Sequence, residues 1–231
     1  MNISERVSGV RERIDIAARR AGRDPGEVSL IAVSKTFPVA AILEARAAGV
    51  ADFGENRAQE FKEKAAVVGR REGLVWHFVG HLQTNKVRHV VGSAALIHSV
   101  DRIGLADAIA RRAQVLGIVQ DVLIEVNLAG EDGKTGVAPP RAPALAEEVA
   151  ELRGVRVCGV MTIPPYPREA EDSRPFFKEL IDLRTQVSSR VPAAVHASMG
   201  MTRDFEVAIE EGATIVRVGE AIFGRRGALG E

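Results

Sequence analysis

The segment Ser34-Lys35-Thr36 closes the first β-branched run of the chain, residues 28–34. Side chains alternate along a strand, so Lys35 shares a face with Ile31 and Val33. Bulky branched residues favour the interior of a parallel barrel, which would turn Lys35 inward at the rim of the mouth. Held there, a lysine loses solvation and its ammonium form is disfavoured. The amine that results is nucleophilic and can form a Schiff base with an aldehyde. A lysine that merely reaches up to solvent fits the same position.

A second chemical element stands near the other end of the chain, in Arg217-Val218-Gly219-Glu220 followed by Ala221-Ile222-Phe223-Gly224. A glycine just past a last strand leaves backbone N–H groups open to an anion, and the final loops of a barrel often bind phosphate. The preceding run ends in His196-Ala197-Ser198-Met199-Gly200, which adds a hydroxyl and another glycine. Ordinary turns use glycines in the same way. What favours chemistry is the combination of two such turns with a strand-one lysine.

Other motifs carry less. Gly130-Glu131-Asp132-Gly133-Lys134-Thr135 resembles a phosphate loop, but its first glycine is too close and no helix is expected to open at Thr135. His77 and His81 flank a strand end, with no carboxylate or cysteine to complete a metal set. Each is expected to be a satisfied core histidine or a surface one. Lys62, Lys64, Arg70 and Arg71, interrupted by Glu63 and Glu72, are expected to form a solvated helix face. No Ser–His–Asp set can be assigned from spacing.

The elements that must position these groups alternate along the chain. Ile3, Val7, Val10, Ile14, Ala17 and Ala21 make the stripe of an amphipathic helix, and Asn2 with Glu5 has the spacing of a capping box. Apolar β-branched runs then recur at 28–34, 51–53, 74–79, 95–100, 122–127, 155–161, 194–198 and 214–218. Most are nearly continuous rather than alternating, as strands buried on both faces require. Helical patterns lie between them. Pro38 suits the first turn of one, which Gly49 ends; Asp101 suits the cap of another, which stops at Gly117; Thr202 suits the opening of the one carrying Phe205. A further helix surrounds Phe177 and Leu180.

This order predicts an α/β fold, a single (β/α)8 TIM-type barrel spanning residues 1–231 as one domain, with an extra N-terminal helix. An open doubly wound sheet would carry a glycine-rich first turn, and none follows residue 34. The eighth helix should be stunted, with the N-terminal helix covering its place.

Of 231 residues, 46 % are hydrophobic and 27 % charged, the balance of an ordinary globular protein. No stretch reaches the roughly 18 to 20 apolar residues of a membrane span. The charged start lacks a secretory core, and the single cysteine, Cys158, fits a reducing cytoplasm. Lys and Arg total 31 against 31 for Asp and Glu, so nucleic acid is not an expected partner.

Five blocks taken in order are more specific. Ala32-Val33-Ser34-Lys35-Thr36, Phe53-Gly54-Glu55-Asn56, the run from Trp76-His77-Phe78 through Gly80-His81-Leu82-Gln83-Thr84-Asn85-Lys86, Ser198-Met199-Gly200-Met201-Thr202-Arg203-Asp204 and Val216-Arg217-Val218-Gly219-Glu220 together resemble the YggS/PROSC family of pyridoxal-phosphate homeostasis proteins. The resemblance runs from the first strand to Gly224. It implies a barrel like the N-terminal domain of alanine racemase that binds pyridoxal 5′-phosphate. It implies, further, that Lys35 is the Schiff-base lysine and Arg217 the partner of the pyridine nitrogen. Ser198 and the Gly219–Glu220 backbone match the phosphate cradle, and Asn56 lines the same mouth. Many family members carry Thr or Ser where this chain has Glu220. A carboxylate beside a phosphate is repelled, so the Glu220 side chain is expected to turn away while its N–H donates.

The function so implied is buffering or delivery of the cofactor in vitamin B6 and amino-acid homeostasis, without robust catalysis, by a cytoplasmic monomer whose partners include apo-forms of pyridoxal-phosphate enzymes. The alternative is a weak amino-acid racemase. Arginine offers only donors, so a pyridine nitrogen opposite Arg217 stays unprotonated and the ring is a weakened electron sink. Alanine racemase shares that arginine but takes its second acid/base group, a tyrosine, from a separate domain. The only tyrosine here, Tyr166, lies in the loop after the sixth strand, where rim packing is the commoner role. A lysine-dependent aldolase would explain Lys35 but not the other blocks.

Overall fold

The capping box at the start of the chain is formed: Glu5 N–H donates to Asn2 Oδ1 at 2.8 Å and Asn2 N–H to Glu5 Oε2 at 3.0 Å. It opens helix α1 (Ile3–Arg20), whose stripe of Ile3, Val7, Val10, Ile14 and Ala17 is buried. The computed structural model describes residues 1–68, 73–131 and 133–224. Arg70, Arg71 and Glu72 of the basic stretch, and Asp132 of the glycine motif, lie outside them.

All eight predicted runs are strands: β1 (Ser29–Val33), β2 (Asp52–Glu55), β3 (Val75–Phe78), β4 (Leu96–Val100), β5 (Gln120–Glu125), β6 (Val155–Met161), β7 (His196–Ser198) and β8 (Ile215–Val218). They pair in parallel in chain order and close into a barrel, with Ser29 opposite Ile215 and Ala32 opposite Val218 where β1 meets β8. Helices α2 (Val39–Ala47), α3 (Ala58–Val68), α4 (Ile103–Val115), α5 (Ala142–Ala150), α6 (Arg174–Arg190), α7 (Phe205–Glu210) and α8 (Glu220–Phe223) run outside it. Between β3 and β4 a 3-10 turn, Thr84–His89, stands in place of an α-helix. Only 4 residues long, α8 leaves the last groove open, and α1 packs there against α2, α7 and α8.

The strands bury both faces, hence their unbroken apolar runs. Outward residues such as Phe53, Phe78, Ile97 and Val216 join the helices in one core. Ile31, Val33, Val79, Leu96, Leu123, Met161 and Ile215 form a separate cluster inside the barrel.

Two expected caps are corrected. Asp101 does not cap α4: Arg102 precedes the helix with no side-chain cap bond, and Asp101 instead pairs with the Arg102 guanidinium at 2.6 Å. Thr202 does not open α7, which starts after Asp204. Its hydroxyl accepts the N–H of Ala221 at 3.2 Å and so ties the loop after β7 to the start of α8. Asp101 is taken by the guanidinium of its own chain neighbour and Thr202 by a backbone N–H at the start of α8, so neither is left for the helix N–H groups that sequence spacing suggests.

Candidate functional site

A cavity of about 620 Å³ opens at the C-terminal ends of the strands. Lys35, Asn56, Arg217, Gly219 and Glu220 line it, as do Lys134, Tyr166, Thr202 and Arg203. Ser198 does not. Its side chain is fully buried beneath the cavity, where Oγ accepts from Arg217 Nη1 at 2.6 Å and meets His98 Nδ1 at 2.9 Å. A serine at an inward position of so short a strand points into the lumen, and the loop beyond it supplies the lining groups. At the opposite end of the barrel a second cavity, about 440 Å³, is lined in part by Arg11, Asp15 and Asp52.

Lys35 sits half-buried on a turn held from outside the barrel. Thr36 takes φ 69°, a strained value for a residue with a branched side chain. Its N–H donates to Glu60 Oε1 at 2.6 Å. The same Glu60 oxygen accepts from Lys64 Nζ at 2.7 Å, and that ammonium also donates to Ser34 O and Glu55 Oε1, each at 2.7 Å. Ser34 Oγ–H completes the set by donating to Glu55 Oε1 at 2.6 Å. Lys64 is thus not part of a solvated helix face. It is buried, while its neighbour Lys62 is exposed. The lone clue in the sequence is its spacing of four from Glu60, which a surface helix pair shares. Burial pushes the Glu55 carboxyl above its usual range, and hydrogen bonds from Lys64 and Ser34 pull it back in part.

Arg217 enters from β8 with its guanidinium anchored below: Nη1 donates to Ser198 Oγ, and Nη2 to Thr162 O at 2.8 Å. Burial lowers its pKa to about 10, against the opposing pull of the Asp204 and Glu125 carboxylates. It remains a cation at neutral pH. Glu125, at the end of β5 across the barrel, accepts from Thr135 Oγ1 at 2.7 Å, and burial raises its carboxyl pKa.

The glycines that frame the cavity are there for close approach. A Cβ on Gly219 would lie 3.1 Å from Val33 O, a tight contact that a side chain could keep only if β1 or β8 gave by a few tenths of an ångström. A Cβ on Gly80 would lie 2.1 Å from Asn56 O, so only glycine lets the loop after β3 pack on the Asn56 backbone.

Arg203 and Tyr166 form the rim, with the guanidinium 4.5 Å from the ring centroid. Tyr166 is 69 % exposed. Its packing on Arg203 matches the rim role expected for it. Thr202 and Arg203 fall in one of the five resembling blocks, but their spacing marks neither as a site residue: Thr202 reads as a helix cap and Arg203 as the residue after it. Of the two histidines that flank the end of β3, His77 is buried with both ring nitrogens engaged, and His81 is exposed.

This closed parallel barrel, with a strand-one lysine and a strand-eight arginine on one mouth, belongs to the alanine racemase N-terminal domain family, whose pattern matches residues 7–227. Within it the chain is 51 % identical over 227 residues to the pyridoxal phosphate homeostasis protein of Aquifex aeolicus, covering 98 % of this chain and 99 % of that one. This identity places the chain in the YggS/PROSC group that its five sequence blocks resemble. The structure of PipY from Synechococcus elongatus, solved with PLP bound, superposes with a TM-score of 0.84 at 36 % identity over 96 % of this chain and 100 % of PipY. Alanine racemase from Corynebacterium glutamicum shares the fold, with a TM-score of 0.66 at 13 % identity; 97 % of this chain matches 63 % of that one.

Proposed function

We propose that this protein holds pyridoxal 5′-phosphate as a Schiff base on Lys35 and buffers or delivers it, without robust catalysis of its own. The observation that carries this reading is that Lys35 and Arg217 line one cavity of about 620 Å³, within the size range of small-cofactor sites.

The residues present fit the parts of the cofactor. Lys35 supplies an amine for the aldehyde. Arg217 offers only donors, which suits an unprotonated pyridine nitrogen. The Gly219–Glu220 backbone, where a Cβ would crowd Val33 O, suits the phosphate, and Asn56 lines the same mouth. Ser198 acts from beneath, through Arg217, rather than by touching the phosphate. Arg203 adds a cation at the rim.

When bound, the cofactor supplies an electron sink, which is strongest when its ring nitrogen is protonated. A buried, charged Arg217 opposes that protonation. The carrier reading follows from this weakened sink, together with an exposed Tyr166 engaged by Arg203. The proposed setting is a reducing cytoplasm, in keeping with a single buried cysteine, Cys158. The proposed unit is one barrel domain, acting as a monomer on apo-forms of pyridoxal-phosphate enzymes. Among the described residues no helix is long and apolar enough to cross a membrane.

The test is loading with pyridoxal phosphate, borohydride reduction and peptide mapping. The reduced adduct is expected on Lys35 and absent in Lys35→Ala, whose fold is retained because one rim side chain contributes little packing. An adduct on Lys134, the other lysine lining the cavity, overturns the assignment. Desalted holo-protein is then expected to reactivate an apo-enzyme, and Lys35→Ala treated identically is not.

A further inference from the structure

A chain of side chains crosses the barrel lumen beneath Arg217. Arg217 Nη1 meets Ser198 Oγ at 2.6 Å, Ser198 Oγ meets His98 Nδ1 at 2.9 Å, His98 Nε2 meets His77 Nδ1 at 3.2 Å, and His77 Nε2 meets Asp52 Oδ1 at 3.0 Å. These residues come from β8, β7, β4, β3 and β2, so the chain passes from one wall of the barrel to the opposite one. Arg217 lines the mouth cavity, and Asp52 lines the cavity at the far end.

The chemistry of the two ends gives every link a direction. An ionised Asp52 only accepts, so His77 must donate from Nε2, and as a neutral ring it accepts at Nδ1. His98 then donates from Nε2 and accepts at Nδ1, which turns the Ser198 hydroxyl proton toward His98. The lone pairs of Ser198 Oγ are left for Arg217, a group that has only donors. Reversing any one link sets two donors or two acceptors face to face. His98 and Ser198 are both fully buried, so bulk solvent does not relieve a mismatch there.

We propose that Asp52, His77 and His98 are positioning residues for Arg217: the carboxylate at the floor sets the tautomers of both imidazoles, and these hold Ser198 as the acceptor that anchors the guanidinium in the cofactor cavity. This deepens the carrier reading and rests on it for the role of Arg217. The hydrogen-bond chain itself stands on the geometry alone. It supplies an account of how Asp52, His77 and His98 are accommodated beside the apolar cluster that fills the barrel.

The first measurement is ¹⁵N imidazole NMR of the unaltered protein without cofactor at neutral pH, with His98→Gln used to assign the signals. His77 and His98 are both expected as neutral Nε2–H tautomers. A His98 protonated at Nδ1, or a His77 imidazolium, overturns the proposal, and both are read from the spectrum of the unaltered protein. The second is titration of Asp52→Ala with pyridoxal phosphate. The adduct should still form on Lys35, with affinity weakened about three- to tenfold, the worth of one hydrogen bond. The ratio of visible to near-ultraviolet absorbance should also change. Unchanged affinity and spectrum overturn the positioning role. Failure of the unaltered protein to form any adduct would instead sink the cofactor reading, while the tautomers would still decide the direction of the chain.

Discussion

Lys64 Nζ donates to Ser34 O at 2.7 Å, so a side chain on α3 holds the backbone carbonyl one residue before Lys35. The same ammonium bonds Glu55 and Glu60, and Glu60 in turn holds the strained Thr36 N–H. A buried ion pair is weak support for stability by itself, because desolvation offsets its attraction. Here its value is geometric: it fixes both neighbours of Lys35 from outside the lumen.

Lys64→Met should therefore affect stability and chemistry together. Removing one partner of a buried pair leaves the Glu55 carboxyl uncompensated and costs about 3–5 kcal/mol. Urea unfolding should show that loss, and adduct formation at Lys35 should slow in protein that is still folded. A variant as stable and as reactive as the parent would refute the clamp.

Glu220→Thr should tighten pyridoxal-phosphate binding. The carboxylate is exposed on the cavity wall, where its charge is screened, so the gain should be less than about tenfold. Titration of the cofactor-free protein reads it directly. Equal or weaker binding would mean that Glu220 contributes a favourable contact.

Acid stability should depend on His98. Burial, the largest cause, with His77 and Arg217 nearby, holds its pKa well below 6.5 in the folded protein. Above pH 6.5 neither folded nor unfolded His98 binds a proton, and its effect on stability is nil. As pH falls below 6.5 the unfolded chain takes up a proton that the folded chain refuses, so stability is lost at up to about 1.4 kcal/mol per pH unit. The raised carboxyl pKa values of Glu55 and Glu125 act in the opposite sense at lower pH, since the folded state binds those protons first. Denaturation curves of the parent and His98→Gln across pH 7 to 5 should differ in slope by an amount approaching ~1.4 kcal/mol per unit. Parallel curves would show that His98 is not held neutral.

Racemisation of L-alanine should not exceed that of free cofactor in buffer. If turnover stood well above that background and vanished in Tyr166→Phe with the spectrum unchanged, the racemase reading would replace the carrier. The cation–π contact with Arg203 predicts instead that Tyr166→Phe leaves both spectrum and background turnover as they were.

The eight strands, the capped first helix and the stunted last one are legible in the sequence, because continuous β-branched runs, a capping box and turn glycines are local signals set by backbone sterics and burial. Alternation along β1 is enough to turn Lys35 inward, and Asn56, Arg217, Gly219 and Glu220 fall on one mouth because a parallel barrel gathers all its strand ends there. Sequence spacing cannot separate Lys64 from Lys62, since both fit an exposed helix pattern. Only the closure of α3 against β1 and β2 buries one of them on Ser34 and Glu55. Ser198 reads as a phosphate ligand because a hydroxyl beside a glycine turn is an apt donor. The closed lumen instead aims it at Arg217 and at His98, a residue one hundred positions earlier in the chain. Polar groups sealed away from water must find partners wherever the fold brings them, and those partners are set by distance across the barrel, which no spacing along the chain encodes.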